Sequence, residues 1–443
     1  MKRFLSGDEA LAEGVRLARP QVISAYPITP QTVVVERLSE MVEAGTLAAE
    51  YVHVESEHSA LSCAIGAAAT GARTFTATSS QGLLYMAECL TYAAGGRFPI
   101  VMMNANRATA LPWNIYGDQR DSLALLDHGW VQVYAQDNQE ALDLALMAYA
   151  LAEDARVLTP VMVNLDGFAL THTYENVGIP TQEQADAFLP PYEAANRFDF
   201  EQPVNIGFSA GPEYNRYFKH AAHEGMLAAA AVVGEIEERF ATVFGRRYPG
   251  LVEAVDCDDA DVVLVTLGSI AGLARSVAAQ LRERGLRAGV LRIRYMRPFP
   301  AAAIVAALSN ARAVGVLEKD ISFGAEGTVF TNVCSALQQA GSAVPTYNFV
   351  GGLGGDDISE AQLVGIFQQL IDAAEGSVDV LDAPRVSFLG VEFPTDMLVE
   401  KAAARYPARN AEQGAAQAGG RWADGWSQAA EPPAVGRDAE GGR

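Results

Sequence analysis

The sequence predicts an α/β protein built from two successive, mostly parallel sheets covered by helices, and three observations carry that expectation. Short apolar, β-branched runs alternate with amphipathic ones from the start of the chain to about residue 240. Over residues 190–225 the periodicity fades and Pro, Asn and aromatic residues accumulate, as in a long excursion or lid. A second strand–helix pattern then runs to about residue 380. The expected boundaries are 1–240 for the first domain, 241–385 for the second, and 386–443 for a C-terminal extension.

Each element has its own reason. "PQVISAY" has the character of a buried strand, and "TVVVERLSEMVEAG" spaces Val33, Val34, Leu38 and Val42 along one helix face that ends near Gly45. Between them, Thr29 is expected at the N-cap and Pro30 at the first helical position, where a missing N–H costs nothing. A helix start at the end of a parallel strand suits a small anion such as a carboxylate. Next, "HVESEHSALSCAIGAAATG" places Glu55 and Glu57 one residue apart, with Glu57 at the mouth of an Ala/Gly-rich helix that can pack closely against backbone. Glu57 is then either a first-turn acid stabilised by the helix dipole or a carboxylate held in a partly apolar interface, where its proton affinity is useful. "FTATSS", "FPIVMMNA", "VQVYAQ" and "PVMVNLDG" follow as strands, with "QGLLYMAECLTYAAG" and "NQEALDLALMAYALAED" as helices. A helix near "GMLAAAAVVGEIEERFATVFGRRY" leads to the second pattern: strand "DVVLVTLGS", helix "IAGLARSVAAQLRERG", strands "RAGVLRIRYM" and "AVGVLEKD". "VGGLGGDDISE" is a turn into a helix capped by Asp357 or Ser359. Beyond about residue 408 the Ala, Gly and charge-rich composition predicts a flexible tail carrying Trp422 and Trp426.

Composition narrows the function classes. A formal net charge of -22 over 443 residues offers no basic surface for nucleic acid. No apolar run reaches membrane-spanning length, and the first apolar stretch is broken by Asp8 and Glu9, so a cytoplasmic protein with no membrane association is expected. Cys63, Cys89, Cys257 and Cys334 lie far apart without a C-x-x-C, which excludes a self-contained cluster or zinc ribbon of the usual spacing and leaves them as small buried hydrophobes. His220 and His223 share a helical i, i+3 spacing but lack carboxylate or Cys companions, so no metal is assigned to them. Neither a G-x-G-x-x-G after the first strand nor a P-loop is present, which argues against a flavodoxin-like or NAD-binding enzyme.

Taken together, "AYPITPQT", "VESEHSALSCAIGAAATGARTFTATSSQGL", "NANRATALPWNIYGDQRDS" and "GFALTH" resemble the α subunit of the 2-oxoacid:ferredoxin oxidoreductases, most closely the pyruvate:ferredoxin oxidoreductase (pyruvate synthase) branch. The resemblance runs from about residue 5 to 380 and includes "LGSIAGLARS", "LRIRYMRPFP", "EKDISFGAEG" and "GLGGDD". It implies a pyrimidine-type thiamine diphosphate-binding, doubly wound domain followed by a transketolase C-terminal-like α/β domain. It assigns Glu57 to the pyrimidine ring nitrogen, as the proton-sharing group that activates the cofactor, and Thr29 and Arg107 to the substrate carboxylate. Trp113 either packs outward or shapes the pocket for a particular 2-oxoacid, and Asp118 is expected to order the loop or Arg107 itself. The G-D-G element that holds the diphosphate and magnesium is missing, as are cluster cysteines. The family places Mg2+ and [4Fe-4S] clusters on partner β and δ subunits, with a γ subunit besides, and passes electrons to ferredoxin or flavodoxin and the acyl group to coenzyme A. The substrate expected is pyruvate, with phenylglyoxylate, branched-chain 2-oxoacids, 2-oxoglutarate and oxalate as alternatives. A non-catalytic assembly subunit is the competing reading.

Overall fold

The computed structural model describes residues 1–194, 197–377 and 385–391. Along the first part run β1 (Lys2–Ser6), β2 (Val22–Ala25), β3 (Glu50–His53), β4 (Thr74–Thr78), β5 (Val101–Asn106), β6 (Val131–Tyr134), β7 (Val161–Asp166) and β8 (Tyr174–Gly178). The second part contributes β9 (Val252–Val255), β10 (Val262–Leu267), β11 (Ala288–Ile293), β12 (Tyr295–Arg297), β13 (Ala313–Glu318), β14 (Thr346–Val350) and β15 (Ser387–Phe388).

The first sheet has the order β12-β6-β7-β5-β4-β2-β3 and is parallel except for β12. Every residue of β4, β5, β6 and β7 is buried, as expected where helices cover both faces of a parallel sheet. Helix Asn138–Ala152 is buried at every residue but Gln139 and packs against helix Gly7–Ala18, whose Gly14 lies so close to the Leu142 carbonyl that a Cβ would come within 2.5 Å of it. The second sheet has the order β15-β14-β13-β10-β11-β9, with β9 alone antiparallel. β1 and β8 form a separate antiparallel ribbon.

Four local expectations need correction. Thr29 does not cap a helix and Pro30 is not its first residue. The chain makes a turn over Ile28–Gln31, closed by the Gln31 N–H to the Ile28 carbonyl at 3.0 Å, and the helix begins at Thr32. The cause is the buried Gln31 side chain, whose amide donates to the Tyr26 and Ala77 carbonyls at 2.9 and 3.2 Å and so holds the turn against the sheet. "QGLLYMAECLTYAAG" forms two helices, Ser80–Tyr85 and Ala87–Gly95, that meet at Met86. The helix leading to the second domain begins at Pro212, inside the stretch expected to be irregular, and ends at Phe244 with Gly245 in the left-handed region. It carries His220 and His223, both exposed, and no group of residues able to hold a metal occurs among the described residues.

"RAGVLRIRYM" is not one strand. At Arg294 the backbone N–H turns to the Leu251 carbonyl (3.0 Å), and the residues beyond it leave the second sheet to pair with β6 of the first. Arg292 and Arg294, two residues apart on one face, reach the same buried carboxylate, Glu140, at 2.6 and 2.8 Å. Arg292 also donates to Glu253 (2.9 Å), and Arg294 to Glu237 (2.6 Å) on the long helix. Burial alone would raise the Glu140 pKa, but the two guanidiniums overcome it and hold the carboxyl at about 2. Ser359 caps the helix Glu360–Ala374 through a capping box with Gln362, as expected. The tail beyond residue 408, with Trp422 and Trp426, lies outside the described residues.

Candidate active site at the carboxyl ends of the first sheet

In an open parallel sheet, ligands bind beyond the carboxyl ends of the strands, where the strand order reverses. Here that point lies between β2 and β4, since the chain moves outward from β2 to β3 and then returns through β4 to β5. Three residues singled out in the sequence follow strand ends here, Thr29 after β2, Glu57 after β3 and Arg107 directly after β5, and Ser80 to Gly82, which the sequence did not single out, follow β4.

Glu57 opens helix Glu57–Ala69 behind Ser56, whose hydroxyl caps it by accepting from the Ser59 N–H at 3.2 Å. Glu55 is exposed, and its carboxylate accepts from the Ser59 hydroxyl (2.5 Å), so the two glutamates part company. Glu57 is 8% exposed, and its carboxylate has no hydrogen-bond partner among the described residues. It lies against Gly82, where a Cβ would come within 2.6 Å of both Glu57 Oε1 and Thr78 Oγ1. A side chain at 82 would displace that carboxylate. The Thr78 hydroxyl beside it is buried and also has no partner among the described residues.

The structure brings Arg107 and Thr29 together. Arg107 Nη1 donates to the Thr29 carbonyl at 2.9 Å and Nε to the Asn114 carbonyl at 3.1 Å, while Nη2 has no partner among the described residues. The contact to Thr29 uses its backbone, not its hydroxyl. Burial pulls the Arg107 guanidinium below the usual arginine range, and the charge of Asp121 opposes that shift. Trp113 is 73% exposed on the loop after Arg107.

Asp118 orders the loop but not Arg107. Its buried carboxylate accepts from the Arg120 N–H (3.2 Å) and from the Gly354 N–H (3.4 Å) of the second domain, and burial, with Asp121 nearby, pushes its pKa up to about 7. The carboxylate serving Arg107 is Asp121, which accepts from the Arg107 backbone N–H at 3.1 Å. Sequence reasoning missed Asp121, and it missed Asn114. The latter gives its carbonyl to Arg107 Nε and its side-chain amide to the Gly354 carbonyl (2.9 Å), thereby linking Arg107 to the second domain. Further ties run from Gly355 N–H to the Gly117 carbonyl (2.7 Å) and from Gln119 N–H to the Lys319 carbonyl (2.8 Å). The carboxylate of Asp166 at the end of β7 meets Lys319 Nζ (3.1 Å), the Ser269 N–H (2.9 Å) and the Ser269 hydroxyl. The dipeptide spacing "DQRD" was the one visible signal for Asp121.

Two family models match the chain: pyruvate flavodoxin/ferredoxin oxidoreductase, thiamine diphosphate-binding, over residues 13–238, and pyruvate:ferredoxin oxidoreductase core domain II over 260–363. The pyruvate synthase subunit PorA of Methanocaldococcus jannaschii is 46% identical over 378 residues, covering 85% of this chain and 96% of the relative. PorA of Methanothermobacter thermautotrophicus is 44% identical over 367 residues (83% and 94%), and the ketoisovalerate oxidoreductase subunit VorA of Pyrococcus abyssi is 41% identical over 381 residues (86% and 96%). A solved 2-oxoglutarate:ferredoxin oxidoreductase from Magnetococcus marinus, with 2-oxoglutarate, coenzyme A and succinyl-CoA bound, shares the fold with a TM-score of 0.64 at 20% identity. The match covers 84% of this chain and 65% of that one. With a thiamine diphosphate-binding domain leading into a core domain II, and relatives that are subunits of such enzymes, the chain belongs to the 2-oxoacid:ferredoxin oxidoreductase family as an α-type subunit of a multi-subunit oxidoreductase.

Proposed function

We propose that this subunit acts in the coenzyme A-dependent oxidative decarboxylation of pyruvate, or its reversal, holding the aminopyrimidine half of thiamine diphosphate and the carboxylate of the 2-oxoacid. The observation that carries this reading is Glu57, a residue 8% exposed whose carboxylate has no hydrogen-bond partner among the described residues and lies against Gly82, so that it is available to a ligand. The residues fit an aminopyrimidine: Glu57 supplies the carboxyl for a ring nitrogen, Gly82 the flat close approach, and the orphaned Thr78 hydroxyl a further polar contact. When bound, thiamine diphosphate supplies the carbon nucleophile and electron sink that decarboxylation of a 2-oxoacid requires.

With the cofactor bound, Glu57 would pair with the pyrimidine ring nitrogen and share its proton. Arg107 is aimed by the carbonyls of Thr29 and Asn114, which leave Nη2 available to a carboxylate and fix the plane of the fork. Partner β, γ and δ-type subunits complete the site with Mg2+, the diphosphate-binding element and [4Fe-4S] clusters, and ferredoxin or flavodoxin accepts the electrons. The complex is proposed to be cytoplasmic; no helix among the described residues is long and apolar enough to cross a membrane.

The experiment is Glu57→Gln in the reconstituted complex, assayed by pyruvate- and coenzyme A-dependent dye reduction. The expected outcome is a fall in kcat of about 100-fold or more, the range for loss of a positioned proton-transfer group. Unchanged activity would instead support a non-catalytic assembly subunit. Substrate choice is read from a kcat/KM series over pyruvate, 2-oxoisovalerate, 2-oxoglutarate, phenylglyoxylate and oxalate. The likeness to VorA at 41% identity makes the branched-chain acid the second reading, and a preference for it would replace pyruvate.

A further inference from the structure

Asp121 is fully buried in the short helix Arg120–Leu123, and its carboxylate receives only donors. Oδ2 accepts from the backbone N–H of Ser80 (3.0 Å), the backbone N–H of Arg107 (3.1 Å) and Asn104 Nδ2 (3.3 Å). Oδ1 accepts from Asn106 Nδ2 (2.8 Å) and the Ser122 N–H (2.7 Å). One carboxylate therefore grips the ends of two neighbouring strands, at the second residue beyond β4 and the first beyond β5.

Those two residues lead to opposite halves of the site. Ser80 stands two residues before Gly82, the surface under Glu57, and it adopts a left-handed conformation with φ of 51°, unusual for a residue with a side chain. Its N–H goes to Asp121 and its hydroxyl to the Ala108 carbonyl (2.7 Å), so the turn is held from the Arg107 side. Arg107 has its backbone fixed by Asp121 and its side chain fixed by Thr29 and Asn114. Neither end can shift without displacing the same carboxylate.

We propose that Asp121 is the positioning residue of this site: it touches no substrate, and by binding the N–H groups of Ser80 and Arg107 together it fixes the distance between the Glu57 pocket and the substrate-carboxylate arginine. The inference rests on the 2-oxoacid reading above for its catalytic consequence, but not for its structural one. Asn in place of Asp121 keeps the volume and offers one acceptor oxygen while turning the other position into a donor that faces donors.

Because the Ser80 and Arg107 amides share Oδ2, an Asn oxygen there would serve both, so the test is Asp121→Leu, which removes both acceptors at similar volume, in the reconstituted complex with two readouts. Hydrogen–deuterium exchange of peptides covering residues 79–83 and 105–109 reports the two amides directly, and the split of KM against kcat for pyruvate reports the arginine. Expected are exchange at least tenfold faster in both peptides and a KM raised about tenfold, in the range set by loss of a hydrogen bond to a charged group, with thiamine diphosphate still bound. Unchanged exchange in either peptide overturns the proposal, as does a fall in kcat alone at constant KM. Where Asp121→Leu does not assemble, exchange is followed in the wild-type complex: because both amides share Oδ2, the two peptides are expected to open together with one rate, and independent opening of either overturns the proposal. The exchange readout needs no turnover, so it judges Asp121 even if the wild-type complex consumes no 2-oxoacid, which would count against the reaction alone.

Discussion

Arg107 owes its usefulness to what its neighbours leave free. Two backbone carbonyls take Nη1 and Nε, so the guanidinium is held in its plane before any ligand arrives. Arg107→Lys keeps the charge but replaces a fixed fork by a mobile point charge, and it is expected to raise KM for the 2-oxoacid about 10- to 100-fold with a smaller change in kcat. Steady-state kinetics on the reconstituted complex check this, and an unaltered KM would remove Arg107 from substrate binding. Glu57 stood out locally only as one of two readings, and the resemblance carried by "VESEHSALSCAIG" and "NANRATALPWNIYGDQRDS" is what singled out Glu57 and Arg107. Asp121 and Asn114 were not singled out, because their partners lie on other strand ends or in the other domain and leave no local periodicity. Thr29–Pro30 had the pattern of a helix start, yet Gln31, an unremarkable residue in sequence, overrode it by reaching two buried carbonyls.

At the scale of elements, the strand pairings follow from alternating apolar runs, and the sheets are accordingly the part of the fold that sequence patterning describes best. The division of "RAGVLRIRYM" between β11 and β12 was beyond it, because the break depends on Glu140, 152 positions from Arg292 in the chain. Glu140 is buried and ionised between two arginines, and its loss strands both. Glu140→Gln is expected to destabilise the chain by about 3–5 kcal/mol, as when one partner of a buried ion pair is removed. Denaturant unfolding checks this, and a loss below about 1 kcal/mol would mean that the cluster contributes little. The carboxyl is held at about 2 against an ordinary 4.5, so its stabilising contribution is complete above the ordinary glutamate range and is lost as pH falls through about 2. Wild-type stability is expected to fall on acidification below about pH 4.5, and Glu140→Gln to flatten this part of the profile.

At the scale of the molecule, the proposed function divides the cofactor site between chains, with Glu57 and Gly82 meeting the pyrimidine and partner subunits holding the magnesium and diphosphate. The isolated chain supplied with thiamine diphosphate and magnesium is accordingly expected to show no pyruvate turnover, with activity appearing on addition of the partner subunits. Turnover by the purified chain alone would overturn the division of labour proposed above. The domain arrangement was half visible: two α/β patterns announce two sheets, while the face-to-face meeting of their strand ends rests on Asn114, Asp118, Gln119 and Lys319, which pair across 150 to 240 positions.

That meeting has a consequence for how substrate preference can diverge. The loop bearing Arg107 is anchored on the Gly354–Gly355 turn of the second sheet, where a side chain at 354 would press on Asn114 and one at 355 on Tyr116. On the proposed reading, an added methyl group there would reach Arg107 only through the loop that holds it, and the core domain would be a second dial on the choice of 2-oxoacid, turned by residues that the acid itself never meets.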